Sequence, residues 1–274
     1  MEKIKRLNEL ISDAEAVVVG AGAGLSSAAG FEYGGNTFFE NFGYMHELYG
    51  YNDMYSAGFH TFETSEEKWG FWSIFIYLNR YKYGAKPLYA KLYSVLKDKN
   101  YFVLTTNVDH QFQLAGFDKK RLFYTQGDYG LFQCSAACHD KTYDNKDVIM
   151  QMVAEQREHK IPSSLVPKCP VCGEEMEVNL RKDELFVEDR GWKIASDRYS
   201  DFISENRDKR ILFLELGVGY NTPGIIKYPF MQMAYSFPQG FYACVNMENH
   251  VPKELAEKSL TIDGDLAEVI FSLK

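Results

Sequence analysis

Four of the five cysteines in this chain of 274 residues fall in two close pairs, Cys134-x3-Cys138 and Cys169-x2-Cys172. Two thiolate pairs set apart by an intervening stretch are how a chain builds a tetrahedral zinc site, and Cys169-Pro-Val-Cys172-Gly173 has the form of a knuckle turn. Four thiolates fill a tetrahedron and leave no position for water. Such a metal is structural, holding together a small lobe with little core of its own. Free core cysteines or a redox pair are the alternatives, and His139 beside Cys138 is a candidate substitute ligand. Cys244 stands alone in an apolar stretch and reads as buried packing.

The second chemical feature is the run Gly20-Ala-Gly-Ala-Gly-Leu-Ser-Ser-Ala-Ala-Gly30, which continues the β-branched stretch Ala16-Val-Val-Val19. A buried strand that enters a glycine turn and then a helix N-terminus suits a pyrophosphate, because backbone amides point outward and glycine permits close approach. Gly20, Gly22 and Gly24 sit where that needs them. Their spacing is G-x-G-x-G rather than G-x-G-x-x-G, and no strand ending in an acid follows to hold a ribose, which argues against hydride transfer. A tight loop without a ligand is the alternative. Ser26 and Ser27 suit either a helix cap or a phosphate contact. Near the far end, Val245-Asn246-Met247-Glu248 closes an apolar run with a carboxamide and a carboxylate that could grip a ribose.

These groups need a scaffold, and the apolar pattern supplies one. A helix is expected over 2–12, a strand over 16–20, and a helical, aromatic-rich stretch over 33–86 containing Trp69, Phe71, Trp72, Phe75 and Tyr77. A helix over 87–99, a strand over 101–106, a polar turn at 107–109 and a helix ending at Gly116 restore the strand-turn-helix rhythm, followed by a short strand at 122–124. The cysteine-bearing segment interrupts it. Beyond lie a helix at 198–206, a strand at 210–216 running into a second glycine turn, Gly217-Val218-Gly219, a last strand at 240–246 and a closing helix at 264–273.

Composition sets the outer limits. With 46% apolar and 25% charged residues the chain is globular, and its length allows one sizeable core plus a smaller module. A net charge of -8 and a pI near 5.4 disfavour a nucleic acid or an anionic membrane as partner, since either wants a basic face. The first twenty residues alternate charged and apolar groups, and no apolar run reaches the length of a signal-peptide core or a membrane span. Reduced thiols and the cytoplasm are the expectation.

Taken in order, the first glycine turn, Thr105-Thr-Asn-Val-Asp109, Gln126-Gly127, the cysteine quartet, Gly217-Val-Gly219 and Val245-Asn-Met-Glu248 follow the succession of the sirtuin family, which the chain resembles throughout. The resemblance implies a Rossmann-like doubly wound parallel α/β sheet with an inserted small zinc-ribbon and helical lobe. Residues 1–36, 87–130 and 196–274 would form the NAD-binding Rossmann lobe, 37–86 a helical module and 131–195 the zinc-binding module. It implies NAD contacts from Gly20, Ala21, Gly22, Leu25 and Ser26 in the first turn, and from Gly217, Val218 and Gly219 in the second. Asn107 and Asp109 would line the nicotinamide and its ribose with Gln126, while Asn246, Glu248, Asp265 and Leu266 would meet the adenosine end. Arg181, in Asn179-Leu-Arg-Lys-Asp183, matches the family's Arg-Pro-Asp stretch and becomes a candidate electrostatic partner of acceptor or cofactor.

Two departures bear on the reaction. Sirtuins follow the first glycine turn with Pro-Asp-Phe-Arg, whereas this chain has Phe31-Glu-Tyr-Gly-Gly35. Family deacylases carry a His-Gly pair after the third strand, where the imidazole takes a proton from a ribose hydroxyl, whereas this chain has Gln126-Gly127. A carboxamide does not titrate near neutral pH, so it can orient a hydroxyl or water but cannot act as general base. Asp128 is the nearest alternative base, and equally reads as a turn residue. Breaking the nicotinamide bond needs a stabilised oxocarbenium-like centre and a nucleophile, and neither requires that histidine.

Mono-ADP-ribosyl transfer is the expectation that remains, with a weak deacylase or a non-catalytic NAD-sensing module as alternatives. The pattern is similar to the microbial macrodomain-linked class M sirtuins. That resemblance implies a protein acceptor, a lipoylated glycine-cleavage-H-like carrier, with reversal by an associated macrodomain hydrolase in an oxidative-stress setting.

Overall fold

The computed structural model describes residues 2–220 and 223–274. Helix α1 (Glu2–Asp13) buries Leu7 and Ile11, and strand β1 (Ala16–Ala21) is buried at every position. The turn after β1 opens the short helix α2 (Ala23–Ala28). The aromatic-rich stretch folds as α3 (Gly35–Tyr49), α4 (Met54–Ala57) and α5 (Ser65–Ile76), the last running into a π-helical turn over Tyr77–Tyr81. A capping box starts α5: Thr64 Oγ1 accepts from the Glu67 N–H at 3.2 Å, and the Glu67 carboxylate accepts from the Thr64 N–H at 3.3 Å.

Helix α6 (Pro87–Leu96) begins on a proline, whose fixed φ suits a first turn. Then come β2 (Tyr101–Thr105), α7 (Gln111–Leu114), β3 (Leu122–Tyr124), β4 (Gly127–Cys134), β5 (Tyr143–Asp144), α8 (Lys146–Glu155) and β6 (Met176–Leu180). The chain finishes with α9 (Arg190–Glu205), β7 (Ile211–Leu216), α10 (Lys227–Ser236), β8 (Gly240–Asn246), β9 (Ser259–Asp263) and α11 (Leu266–Phe271).

Two compact units result, one comprising Met1–Ala29, Ala85–Gly127 and Arg190–Lys274, the other Gly30–Gly84 and Asp128–Asp189. The first holds a six-stranded sheet in the order β3-β2-β1-β7-β8-β9, every pair parallel. This is the doubly wound α/β sheet expected. β1, β2 and β7 are buried along their whole lengths because helices cover both faces, as near-continuous apolar runs require. Val17, Val19, Val103 and Leu214 face α1, α6 and α11, while Val18, Phe102, Leu104 and Phe213 face α9 and α10.

Three expectations need correction. Helix α9 starts at Arg190, not at 198, because its apolar stripe of Trp192, Ala195, Tyr199, Phe202 and Ile203 packs along one face of the sheet. That places residues 190–195 with the sheet instead of the cysteine-bearing segment. β8 is not the last strand, since β9 adds outside it with Ala243 opposite Leu260 and Val245 opposite Ile262. As an edge strand β9 is short and only half buried, so its apolar signal is weak.

In the second unit, residues of the expected helical module and zinc-binding module share one core. Trp69 on α5 meets Phe132 on β4 edge-on at 4.9 Å, and Phe75 meets Tyr129 at 5.2 Å. Its sheet has the order β5-β4-β6. Among the described residues no helix is long and apolar enough to cross a membrane.

The order of the six-stranded sheet reverses between β1 and β7, the point at which open α/β sheets leave a crevice beyond the carboxyl ends of their strands. A buried ion pair fixes α10 beside that point. Lys227 (1% exposed) donates to Glu215 Oε1 on β7 (0% exposed), and Tyr242 on β8 donates to Glu215 Oε2 at 2.7 Å. Lys227→Met strands the Glu215 carboxylate and should cost about 3–5 kcal/mol, read as a lower urea midpoint. Adding Glu215→Gln should recover part of the loss. An unchanged midpoint for Lys227→Met would contradict this.

Candidate functional site

The first glycine turn is locked against the second by backbone alone. Gly22 N–H donates to Leu216 O at 3.1 Å and Gly24 N–H donates to Gly217 O at 2.9 Å. A Cβ on Gly22 would lie 2.7 Å from Gly217 O and from Val218 Cα, and one on Gly24 would lie 2.8 Å from Gly217 Cα. Gly217 itself has φ +62°, open to glycine, with Leu25 N only 2.6 Å from where a Cβ would stand. Gly20 serves a different purpose: it lies within β1, and its bare α-carbon makes room for Ile226 and Phe230 of the opposite face.

Beyond the end of β2 the chain places Asn107 and Asp109 against this turn. Thr105 Oγ1 donates to Ala21 O at 2.9 Å and accepts from the Asn107 N–H at 3.0 Å, which fixes the Asn107 backbone. Asn107 Nδ2 donates to Gly22 O at 2.9 Å and to the Tyr89 hydroxyl at 3.3 Å. Ser26 Oγ donates to Asp109 Oδ2 at 2.5 Å and lies 3.1 Å from the Tyr89 hydroxyl, while Asp109 Oδ1 accepts from the Gln111 N–H at 3.0 Å.

Ser26 makes no cap for α2; its hydroxyl belongs to Asp109. Ser26, Tyr89, Asn107 and Asp109 are all buried. Burial, then the Asp109 charge, pushes the Tyr89 phenol well above its usual range, so it stays protonated. Sequence reasoning missed Tyr89 and gave Thr105, the first residue of its motif, no role. Tyr89 sits among apolar residues of α6 and looks like packing, and only its position in space shows otherwise.

Gln126 is half-buried two residues past the end of β3, next to Thr125, whose N–H donates to Thr105 O at 2.9 Å. Asn246 closes β8 and donates from Nδ2 to Val218 O at 2.9 Å. Residues 22–26, 107–109, 126, 217–219 and 246–248 therefore all lie at or just past the carboxyl ends of strands in one parallel sheet. Glu248 is exposed. Leu266 is buried, and Asp265 caps α11, accepting from the Ala267 N–H at 2.7 Å and the Glu268 N–H at 3.0 Å.

Cys244 is more than apolar packing. Its Sγ lies 2.5 Å from Asn249 Oδ1 and 3.3 Å from Glu215 Oε1. Asn249 in turn donates from Nδ2 to Ile262 O at 3.0 Å and Asp263 Oδ1 at 2.9 Å, which ties the turn after β8 to β9. Burial, then the Glu215 charge, pushes the Cys244 thiol up, so it is not a thiolate at neutral pH. Asn249 had no signal in the sequence beyond its type.

Two candidates belong to the other unit. Arg181 follows β6, paired with Glu188 and with its guanidinium 4.4 Å over the Phe186 ring. Asp128 Oδ1 accepts from Arg80 Nε at 2.9 Å and from the Gly130 N–H at 2.7 Å, a buried ion pair and turn contact.

The cysteine quartet is also there. All four Sγ atoms lie within 4.8 Å of one another, with Cys134 and Cys172 at 3.5 Å and Cys138 and Cys169 at 3.6 Å. A zinc ion with thiolates at about 2.3 Å separates its sulfurs by about 3.8 Å, so the donor set fits. His139 Nδ1 stands 3.0 Å from Cys138 Sγ and its Nε2 is 2.8 Å from the Tyr143 hydroxyl, behind the quartet rather than in it. Burial pushes the Cys169 thiol up, but backbone N–H groups of Cys172 and Val171 and hydrogen bonds from Cys138 and Cys172 outweigh it and lower the thiol to about 6.

Comparison with known proteins adds to this geometry. A Staphylococcus aureus protein named protein ADP-ribosyltransferase is 38% identical over 274 residues, covering 98% of this chain and 87% of that protein. A Fusarium oxysporum f. sp. cubense protein named probable bifunctional ADP-ribose hydrolase/ADP-ribosyltransferase is 32% identical over 237 residues, covering 81% of this chain and 38% of that longer protein. Among solved structures, Sir2Tm bound to a propionylated peptide gives a TM-score of 0.58 at 20% identity, covering 98% of this chain and 96% of that one. A Sir2 complex with p53 peptide and NAD+ gives 0.56 at 19%, covering 98% and 95%. At such identities the likeness establishes the fold. No protein-family model matches the chain.

Metal analysis of the purified protein should find one zinc per chain, and chelation should open the four cluster thiols to alkylation. Cys244 should react only after denaturation. A zinc content near zero, or Cys244 reacting together with the quartet, would contradict the assignment.

Proposed function

The chain belongs to the family of protein ADP-ribosyltransferases built on the sirtuin fold, and from that premise we propose that it cleaves NAD at the nicotinamide bond and passes ADP-ribose to a protein acceptor. One observation carries the reading: the chain has Gln126-Gly127 at the point in its motif order where family deacylases have His-Gly, and its Asn107 and Asp109 are held in an ordered network. A carboxamide cannot take the proton that deacylation requires, whereas it can orient a ribose hydroxyl or an incoming nucleophile.

In this reading the bond between the ribose anomeric carbon and the nicotinamide nitrogen breaks, and its electron pair leaves with nicotinamide. The acceptor's nucleophile then supplies the pair that closes the new bond and loses its proton to solvent or to a base on the acceptor. Asn107 and Asp109 stabilise and orient the reacting ribose. The Gly22 and Gly217 N–H groups are committed to Leu216 O and Val245 O, so these two glycines serve by close approach of the backbone while the amides of Val218 and Gly219 turn to the pyrophosphate, with Ala21 and Leu25 shaping that turn. Asn246, Glu248, Asp265 and Leu266 take the adenosine end. Among these, Asp265 contributes through the shape of its capped turn, since its carboxylate already accepts two backbone N–H groups.

The acceptor is a lipoylated carrier protein of the glycine-cleavage-H type, met in the cytoplasm, with Arg181 as its electrostatic contact or that of the cofactor. A macrodomain hydrolase reverses the mark. The name of the Fusarium relative, which joins an ADP-ribose hydrolase to a transferase, supports the hydrolase link.

Incubation with NAD labelled in its adenylate moiety should place label on a lipoylated carrier and not on the unlipoylated form. Asn107→Ala should lower transfer by about 100-fold or more, and Gln126→Ala by more than about tenfold, with zinc content and folding unchanged. Label on neither carrier with rapid loss of acetyl groups from peptides would replace the reading by deacylation. Absence of any nicotinamide release would replace it by NAD sensing.

A further inference from the structure

Tyr89 lies at the centre of the network yet belongs to none of the sequence motifs. We infer that Tyr89 is a positioning residue whose hydroxyl fixes the Asn107 carboxamide so that Oδ1, not Nδ2, meets the reacting ribose. The inference rests on the reading above, in which Asn107 faces that ribose.

Hydrogen-bond direction decides the orientation. Gly22 O is a backbone carbonyl and can only accept, so the end of the Asn107 amide 2.9 Å from it must be the NH2 group. The second hydrogen of that group goes to the Tyr89 oxygen at 3.3 Å. Both Nδ2 hydrogens are then committed within the protein. The atom left for a ligand is Oδ1.

Tyr89, having accepted from Asn107, has one hydrogen to give. It points to Ser26 Oγ at 3.1 Å or Asp109 Oδ2 at 3.5 Å, and Ser26 Oγ gives its own hydrogen to Asp109 Oδ2 at 2.5 Å. Every donor in the chain thus points from Asn107 towards the Asp109 carboxylate, which only accepts and is pinned on its other oxygen by the Gln111 N–H. Such a one-way chain strengthens each of its bonds. A flipped Asn107 would set Oδ1 against Gly22 O and against the start of this chain.

The consequence is chemical. An amide oxygen held towards a sugar ring presents partial negative charge where positive charge develops as the nicotinamide bond breaks. An amide NH2 in its place would oppose that charge. Packing keeps the phenol in position, since Tyr89 is fully buried with Phe112 edge-on at 5.0 Å.

The test is Tyr89→Phe, which keeps the ring and removes only the hydroxyl. Steady-state nicotinamide release from NAD should show kcat lowered by about 10- to 100-fold, with KM for NAD and the melting temperature close to those of the wild type. Tyr93→Phe, one turn further along α6 and packed on Phe117, is the control and should leave kcat unchanged. A wild-type kcat for Tyr89→Phe would overturn the inference while leaving the transferase reading intact. So would a lower kcat accompanied by an equally disturbed KM and a lost melting transition, which marks a purely structural role. No nicotinamide from the wild-type protein would overturn the transferase reading, and this inference with it.

Discussion

Where β1 and β7 end side by side, the backbone of Gly22 and Gly24 runs so close to Gly217 and Val218 that a single added Cβ would meet main-chain atoms at 2.7 or 2.8 Å. Main chain cannot step aside as a side chain can, so this approach exists only with glycine on both sides. Its consequences spread along the sheet edge. Gly22 O is presented to Asn107, Val218 O to Asn246, and the Leu25 N–H is turned back on Gly22 O, which starts α2 and brings Ser26 over Asp109. The turn read at first as a phosphate cradle is therefore also the keystone that orders the polar groups around it.

Two polar clusters stand at that edge and differ in what they hold. Ser26, Tyr89, Asn107 and Asp109 form a buried chain with the charge at one end and a carboxamide at the other. Lys227, Glu215, Tyr242, Cys244 and Asn249 form a second, which ties α10 and the turn after β8 to the sheet. Burying a charge is costly unless it is compensated: Glu215 is paired with Lys227 and accepts from Tyr242, while Asp109 accepts hydrogen bonds on both carboxylate oxygens. The first is the one proposed to face the ligand. The second keeps its neighbours in place.

Much of this was legible in the sequence because its signals are local. The β-branched run before Gly20, the paired cysteines and the Asn107-x-Asp109 turn each lie within a few residues, and the structure places them on β1, in one thiol cluster and past β2. What was not legible acts through space or through weak local signals. Tyr89 reads as one more apolar-face residue of α6 until Ser26 and Asn107 arrive from other elements. Cys244 reads as packing until Glu215 and Asn249 arrive beside it. β9 is too short and too exposed to announce itself, and the polar opening of α9 hides a stripe that begins at Trp192.

The central claim is that the reacting end of NAD lies over Asn107 and its pyrophosphate over the interlocked glycines. A crystal structure with a non-cleavable NAD analogue tests it most directly. The account predicts a nicotinamide-ribose hydroxyl or ring oxygen in contact with Asn107 Oδ1, the pyrophosphate against the backbone of Gly22 and Gly217, and the adenosine ribose near Asn246. A dinucleotide bound away from these residues, or no binding at saturating analogue, would contradict it.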